Sequence, residues 1–216
     1  MPKLRAVLLD LDGTLRDSRE AINPAIEHAL KAHGIDAEPA EIASHAHSLV
    51  AVHQAFAAEV VSYDGLEQAY DEKLKERLEH IKLYEHVPET LGLLREQGLL
   101  LALVSSARRA RDALVKDGLI DYFDAVVGGY DTVELKPHPE PVELALGQLA
   151  CRPEEAVMVG DLAADITAGK AAGVAVTVGV THGFGTRDML VAARADYIID
   201  SLVELPGVIA TVGQNP

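Results

Sequence analysis

Runs of apolar residues that stop at small or charged residues recur along this chain, and their spacing predicts most of its elements. Val7-Leu8-Leu9 belongs to the first run, which ends at Asp10-Leu11-Asp12-Gly13-Thr14. An uninterrupted apolar run of this kind marks a strand buried on both faces of a parallel sheet. From Thr14 to about Tyr84 the pattern is helical and no strand signal interrupts it. Ser18 stands in a capping position for a helix toward His33, with Asn23-Pro24 kinking or restarting it and Gly34 ending it. Pro39 opens a second helix, and a third passes through Val50, Val52, Phe56, Val60 and Val61. Asp64 and Glu67 have the spacing of a capping box for a helix from Asp64 to about Ile81.

From Pro88 the chain alternates between the two periods. Helices are expected from Pro88 to Gly98, Arg108 to Lys116, Pro141 to Ala150, Ala163 to Ala172 and Arg187 to Arg194. Strands are expected between them, at Leu99 to Val104, Phe123 to Val127, Ala156 to Val159, Val174 to Val178 and Tyr197 to Ile199. Such alternation marks a parallel sheet covered by helices. The expected fold is α/β: a doubly wound, Rossmann-like parallel-sheet core (residues 1–15 and 86–216) with a small all-helical cap inserted at residues 16–85.

Composition changes this picture by exclusion. With 216 residues, 49% of them hydrophobic, the chain can bury a core, and disorder is excluded. It carries 34 Asp and Glu against 19 Lys and Arg, a net charge of −15, and no basic run. That balance argues against a nucleic-acid or anionic-membrane partner. Cys151 is the single cysteine, so no intramolecular disulfide can form and a reducing compartment is favoured. No charged-then-apolar leader and no run of membrane-spanning length stand out, so a cytoplasmic protein is expected, monomer or homodimer.

Ligands of open α/β sheets bind beyond the carboxyl ends of the strands. The residues just past the expected strands are therefore the candidates: Asp10 and Asp12, Ser105 and Ser106, Lys136 in a later loop, and Asp161 with Asp165. Gly13 suits a turn that presents both first acids. A carboxylate can divide phosphoester hydrolysis into transfer to the enzyme and attack by water. Clustered carboxylate oxygens suit Mg2+, which would offset their repulsion of a phosphate dianion. Taken singly, Ser105 reads more readily as a strand-terminal serine bonded to local backbone.

Asp10-x-Asp12-Gly13-Thr14 after a hydrophobic strand resembles the first motif of the haloacid dehalogenase-like hydrolases. Ser105, Lys136 and the pair Asp161 and Asp165 are similar to that family's second, third and fourth motifs, in order, so the resemblance covers nearly the whole chain. It implies a Mg2+-dependent phosphatase acting on a small phosphate monoester through a phospho-aspartate. By that resemblance Asp10 is the nucleophile, Asp12 transfers protons, Lys136 holds Asp10 and the phosphate, and Ser105 binds a phosphoryl oxygen. Ser106 is the alternative one residue on, and Thr14 joins the phosphate-binding set. Asp10, Asp161 and the backbone carbonyl of Asp12 are the implied metal ligands, with Asp165 an outer ligand or an orienting group. An acid at Asp12 points to phosphoryl transfer rather than carbon–halogen cleavage.

The inserted helices resemble the family's C1 cap, and the stretch from Thr181 to Leu205 resembles the phosphoglycolate phosphatase-like branch. A phosphoglycolate-like or sugar phosphate substrate is implied, with His45 or His47 reading its non-phosphate end. Two alternatives stay open. Mutases of this branch carry a histidine in the hinge, where this chain has Arg19-Glu20-Ala21-Ile22. A phospho-aspartate receiver domain has neither a cap nor a second acid at Asp12. Arg16, at the expected hinge, reads as solvent-exposed, and Thr181-His182-Gly183-Phe184-Gly185 as a rim loop.

Overall fold

A computed structural model describes residues 3–38, 41–42 and 49–214. Its sheet has six parallel strands in the order β5-β4-β1-β6-β7-β8. These are β1 (Ala6–Leu9), β4 (Leu100–Val104), β5 (Ala125–Val127), β6 (Ala156–Gly160), β7 (Val176–Val180) and β8 (Tyr197–Ile199), and every residue of β1, β5, β6 and β7 is buried. That burial explains why the strands read as continuous apolar runs.

Alternation along each strand separates two apolar layers. Val7, Leu9, Leu101, Leu103, Val157 and Val159 face one way and pack with Val87, Leu91 and Leu94 of the helix Val87–Glu96 and with Leu205, Ile209 and Val212 of the helix Leu205–Gln214. Leu8, Ala102, Val104 and Met158 face the other way, against Val142, Ala145 and Leu146 of Glu140–Gln148 and Ala168 of Ala163–Ala171. The register pairs Leu9 with Leu103 on one side and Val159 on the other. It brings the ends of β4, β1 and β6 level, side by side.

The chain divides into two compact units, residues Met1–Arg16 with Leu83–Pro216, and Asp17–Lys82. Within the second, Arg19–Ala32 and Tyr63–Lys75 pack together, and Ile26, Ala29, Leu30, Val52 and Leu66 form a separate core. Its short helix Leu49–Val52 continues into a π turn, His53–Ala57. Pro24 is accommodated inside the first helix without restarting it.

Several expectations are corrected. The segment from 15 to 84 is not free of strands: β2 (Arg16–Asp17) and β3 (Lys82–Leu83) pair where the chain passes between the units. Ser18 occupies the N-cap, but its buried hydroxyl makes no capping bond. The helix expected from Asp64 starts at Tyr63 and is capped by Ser62, whose Oγ accepts the Gly65 amide at 3.2 Å. It ends at Lys75, short of Ile81, and a 3-10 turn, Leu78–His80, follows. β7 starts two residues later than expected because Val174 and Ala175 bond back to Gly169 and Ala156. The helix Leu205–Gln214, with Pro206 in its first turn, lies beyond the last element expected from the sequence. Proline is tolerated in a first helical turn, and the spacing of Leu205, Ile209 and Val212 puts one apolar face on the core.

The two candidate caps can be told apart. Ser62→Ala should lower stability by about 1 kcal/mol, because it removes an acceptor for an orphan amide. Asp64→Ala, which loses only a charge in the first turn, should cost ~0.3 kcal/mol. Urea unfolding of the two variants measures the difference.

Candidate active site

β1 lies where the strand order reverses, with β4 on one side and β6 on the other. A crevice opens at such a switch point. Asp10, Ser105 and Asp161 are the first residues past β1, β4 and β6, and the Asp10 and Ser105 amides extend the ladders to Val159 and Val127 at 3.0 and 2.9 Å. All three are buried.

Lys136 ties the cluster together. Its buried ammonium donates to Asp10 Oδ1 and Asp165 Oδ1, both at 2.6 Å, and to the Val104 carbonyl at 2.8 Å. An ammonium has three protons, so each has a partner. Lys136 thus fixes the direction of Asp10 and leaves the other Asp10 oxygen, Oδ2, without a lysine contact.

Asp161 is held on both oxygens. Oδ1 accepts the Thr14 hydroxyl at 3.1 Å, and Oδ2 accepts the Phe184 amide at 2.7 Å. The fully buried Thr14 hydroxyl therefore orients a carboxylate, whereas the sequence reading put it on the phosphate. Residues 181–185 are more than a rim. A Cβ on Gly183 would sit 2.2 Å from Asp161 Oδ2, and one on Gly13, at φ +91°, 2.3 Å from the same atom. Only glycine lets both backbones approach that carboxylate. The loop is fixed further by Tyr84, which stacks on His182 at 3.9 Å and donates its hydroxyl to the His182 carbonyl, while His182 Nε2 bonds the Thr14 carbonyl. The readable signal was a glycine on either side of Phe184, directly after a strand.

Asp165 sits in the first turn of Ala163–Ala171, where Oδ2 accepts the Leu162 amide at 3.0 Å. Gly160 leaves it room, because a Cβ there would lie 2.2 Å from the Asp165 carboxyl. Asp10, Asp161 and Asp165 each present an oxygen within 4.8 Å of the others, and among the described residues they are the group able to hold a metal ion.

Three acids beside one ammonium leave excess negative charge. Burial, aided by Asp165 and Asp12 and opposed by Lys136, pushes the Asp10 carboxyl up to about 7. Asp161 is also raised well above the carboxylate range, by burial and by the charges of Asp10 and Asp165. Lys136 stays charged, because the two carboxylates outweigh its burial and raise it.

Arg16 is not exposed. It is buried, with Nε on Asp12 Oδ1 at 2.8 Å and Nη1 on Asp117 Oδ2 at 3.2 Å. Ser105 Oγ accepts the Ala107 amide at 3.1 Å, so its own proton is available to an anion. Ser106 is half-buried, with its carbonyl against Gly129. His45 and His47 lie outside the described residues, as does Pro39.

A parallel sheet with an acid-rich switch point, a buried lysine and a strand-end serine defines a class of hydrolases. The sequence profile of the haloacid dehalogenase-like hydrolases matches residues 7–179, and the chain belongs to that family. It is 31% identical to a phosphoglycolate phosphatase of Pectobacterium atrosepticum, over 94% of this chain and 91% of that protein. It is 32% identical to the pyrophosphatase PpaX of Bacillus mycoides, over 97% and 99%. The solved structure of a predicted phosphatase from Clostridium acetobutylicum superposes with a TM-score of 0.84 at 25% identity, covering 97% of this chain and 99% of that one. The chain is a hydrolase of the family's phosphatase type. No helix among the described residues is long and apolar enough to cross a membrane.

The raised acids make stability depend on pH. Between an ordinary aspartate value and about 7, folded Asp10 keeps a proton that the unfolded chain has lost. The native state then binds more protons, so stability falls as pH rises through that window. Metal-free protein should show a lower melting temperature at pH 7.5 than at pH 5, and added Mg2+ should raise it more at pH 7.5. Thermal unfolding in chelator and in excess Mg2+ at both values measures this.

Proposed function

We propose that this chain is a Mg2+-dependent phosphatase that hydrolyses a small phosphate monoester through a phospho-aspartate on Asp10. The observation that carries the reading is the grip of Lys136 on Asp10 and Asp165 at 2.6 Å, beside Asp161. It leaves Asp10 Oδ2 for attack on phosphorus. Three carboxylates against one ammonium fit a divalent cation, and the glycines at 13 and 183 leave room around the Asp161 carboxylate. Asp10 and Asp161, with the Asp12 carbonyl, would hold the ion, and Asp165 would serve as an outer ligand or orient Lys136. When bound, Mg2+ supplies positive charge that offsets the negative charge of site and phosphate.

The chain's own residues then do the following. An Asp10 Oδ2 electron pair forms the bond to phosphorus as the ester P–O bond breaks, and Asp12 gives its proton to the departing oxygen. Ser105 donates its hydroxyl proton to a phosphoryl oxygen, with Ser106 as the neighbouring alternative. Water next attacks phosphorus, yields a proton to Asp12, and the Asp10–phosphorus bond breaks. Ester and water become alcohol and phosphate, and both acids are restored. Lys136 holds Asp10 throughout and steadies the charge on the transferring group.

A compact substrate, phosphoglycolate-like or a sugar phosphate, suits the net charge of −15, which disfavours nucleic acid. Residues 16–85 are proposed as the cap, with His45 or His47 reading the non-phosphate end. Relatives of nearly equal identity carry phosphoglycolate phosphatase and pyrophosphatase names, so both ligands belong in the assay. A cytoplasmic location agrees with the single cysteine.

The test is a panel of small phosphate esters and pyrophosphate, with and without chelator. Hydrolysis should require Mg2+, and Asp10→Asn should reduce it on the order of 10^4-fold. Beryllium fluoride should load onto wild type and not onto that variant. Full activity in chelator, or phosphate trapped on another residue, would overturn the reading. A phospho-aspartate that persists without hydrolysis would favour the receiver alternative, and phosphate passed to a second sugar the mutase.

A further inference from the structure

We propose that Arg16 is a positioning residue for proton transfer at Asp12, an inference that rests on the role given to Asp12 above. Arg16 ends the N-terminal segment of the first unit, and nothing in its local sequence calls for burial. Yet its side chain is 10% exposed, and its guanidinium lies between two acids. The shorter bond, from Nε at 2.8 Å, goes to Asp12 Oδ1. The longer, from Nη1 at 3.2 Å, goes to Asp117 Oδ2, at the end of the helix Ala110–Lys116.

The backbone holds the two residues in register as well. The Leu11 carbonyl accepts the Leu15 and Arg16 amides at 2.9 and 3.2 Å, the Gly13 amide donates to the Arg16 carbonyl at 2.8 Å, and Asp12 and Arg16 form a β-bridge. The turn that carries Asp10 and Asp12 thus closes on Arg16. Asp117, on a different element, keeps the far side of the guanidinium from turning with Asp12.

A free aspartate side chain turns about two bonds, and proton transfer requires its oxygen within hydrogen-bond reach of the reacting atom. Arg16 removes that freedom by holding Oδ1. Oδ2 is then the oxygen that gives a proton to the leaving group and later takes one from water. Arg16 itself touches neither substrate nor phosphorus. The competing view is a purely structural tie between the turn and the helix end. In that view the loss of Arg16 would weaken the fold and every step alike.

A double-mutant cycle separates the two, since a group that acts only through Asp12 has no further effect once Asp12 is altered. Arg16→Met should lower kcat for an alkyl phosphate about 10- to 100-fold, within what acid–base catalysis supplies, with KM little changed. With 4-nitrophenyl phosphate the leaving group departs without a proton. The variant should then release a burst of nitrophenolate close to one per enzyme, followed by slow turnover as the phospho-enzyme waits for water. In an Asp12→Asn background the same change should alter kcat less than about 2-fold. Asp117→Asn leaves the Arg16–Asp12 bond in place and removes only its anchor. It should give a smaller loss in kcat, about 3-fold, that also vanishes in the Asp12→Asn background.

Thermal unfolding accompanies each variant. If Arg16→Met does not fold, the Asp117→Asn pair decides the matter. An unchanged kcat for the alkyl ester would overturn the proposal, as would an equal loss with and without the Asp12 carboxylate. If Asp12→Asn alone keeps wild-type turnover on both esters, the role assigned to Asp12 is what fails, a result distinct from the loss of coupling.

Discussion

Asp10, Asp161 and Asp165 are crowded into a buried space with one lysine, and much of the surrounding structure answers that crowding. Like charges out of water repel strongly, and a carboxylate without hydrogen bonds there is costly. Each acid accordingly has named partners: Lys136 for Asp10, the Thr14 hydroxyl and Phe184 amide for Asp161, and Lys136 with the Leu162 amide for Asp165. These bonds limit the repulsion without abolishing it: burial first, and the neighbouring acids after it, hold Asp10 and Asp161 above the usual carboxylate range. The site thus sits under electrostatic strain on a rigid sheet, a pattern in which stability is given up where chemistry is carried out.

The sheet was legible because its strands are buried on both faces. Val7 to Leu9, Leu101 to Val104 and Ala156 to Val159 can satisfy no other environment, and the acids and serine that follow had to lie past strand ends. Asp10, Ser105, Lys136, Asp161 and Asp165 were singled out by the order of the four motifs and their resemblance to the family's, and the structure gathers Asp10, Lys136, Asp161 and Asp165 within bonding or ligand distance. The burial of Arg16 was not legible, because its second acid lies 101 residues away on another helix and no local period connects them. The same holds for Thr14, whose hydroxyl meets Asp161 147 residues on. Helix limits were lost where a polar residue could cap from either of two places, as with Ser62 and Asp64. The last helix lies past the last expected strand, and its apolar face of Leu205, Ile209 and Val212 packs on the core.

Lys136 illustrates how geometry sharpens a role that the sequence leaves broad. A lysine near a phosphate site is expected to contact the anion. Here the Val104 carbonyl and two carboxylates already take its three protons, so its first task is to aim Asp10. Its place, a carbonyl at the end of β4 and an acid past β1, couples two neighbouring strands through one side chain.

The loop at residues 181–185 has a consequence for the making of the protein. Asp10 follows the first strand, whereas Asp161 accepts an amide from Phe184, 23 residues further on, and lies against Gly183. Domains form as units while the chain leaves the ribosome from its N-terminus. A nascent chain that has emerged as far as β7 carries Asp10, Ser105, Lys136, Asp161 and Asp165 and lacks the backbone that packs on Asp161. Until residues 183 and 184 have joined the fold, the Asp161 carboxylate lacks the amide that its Oδ2 accepts.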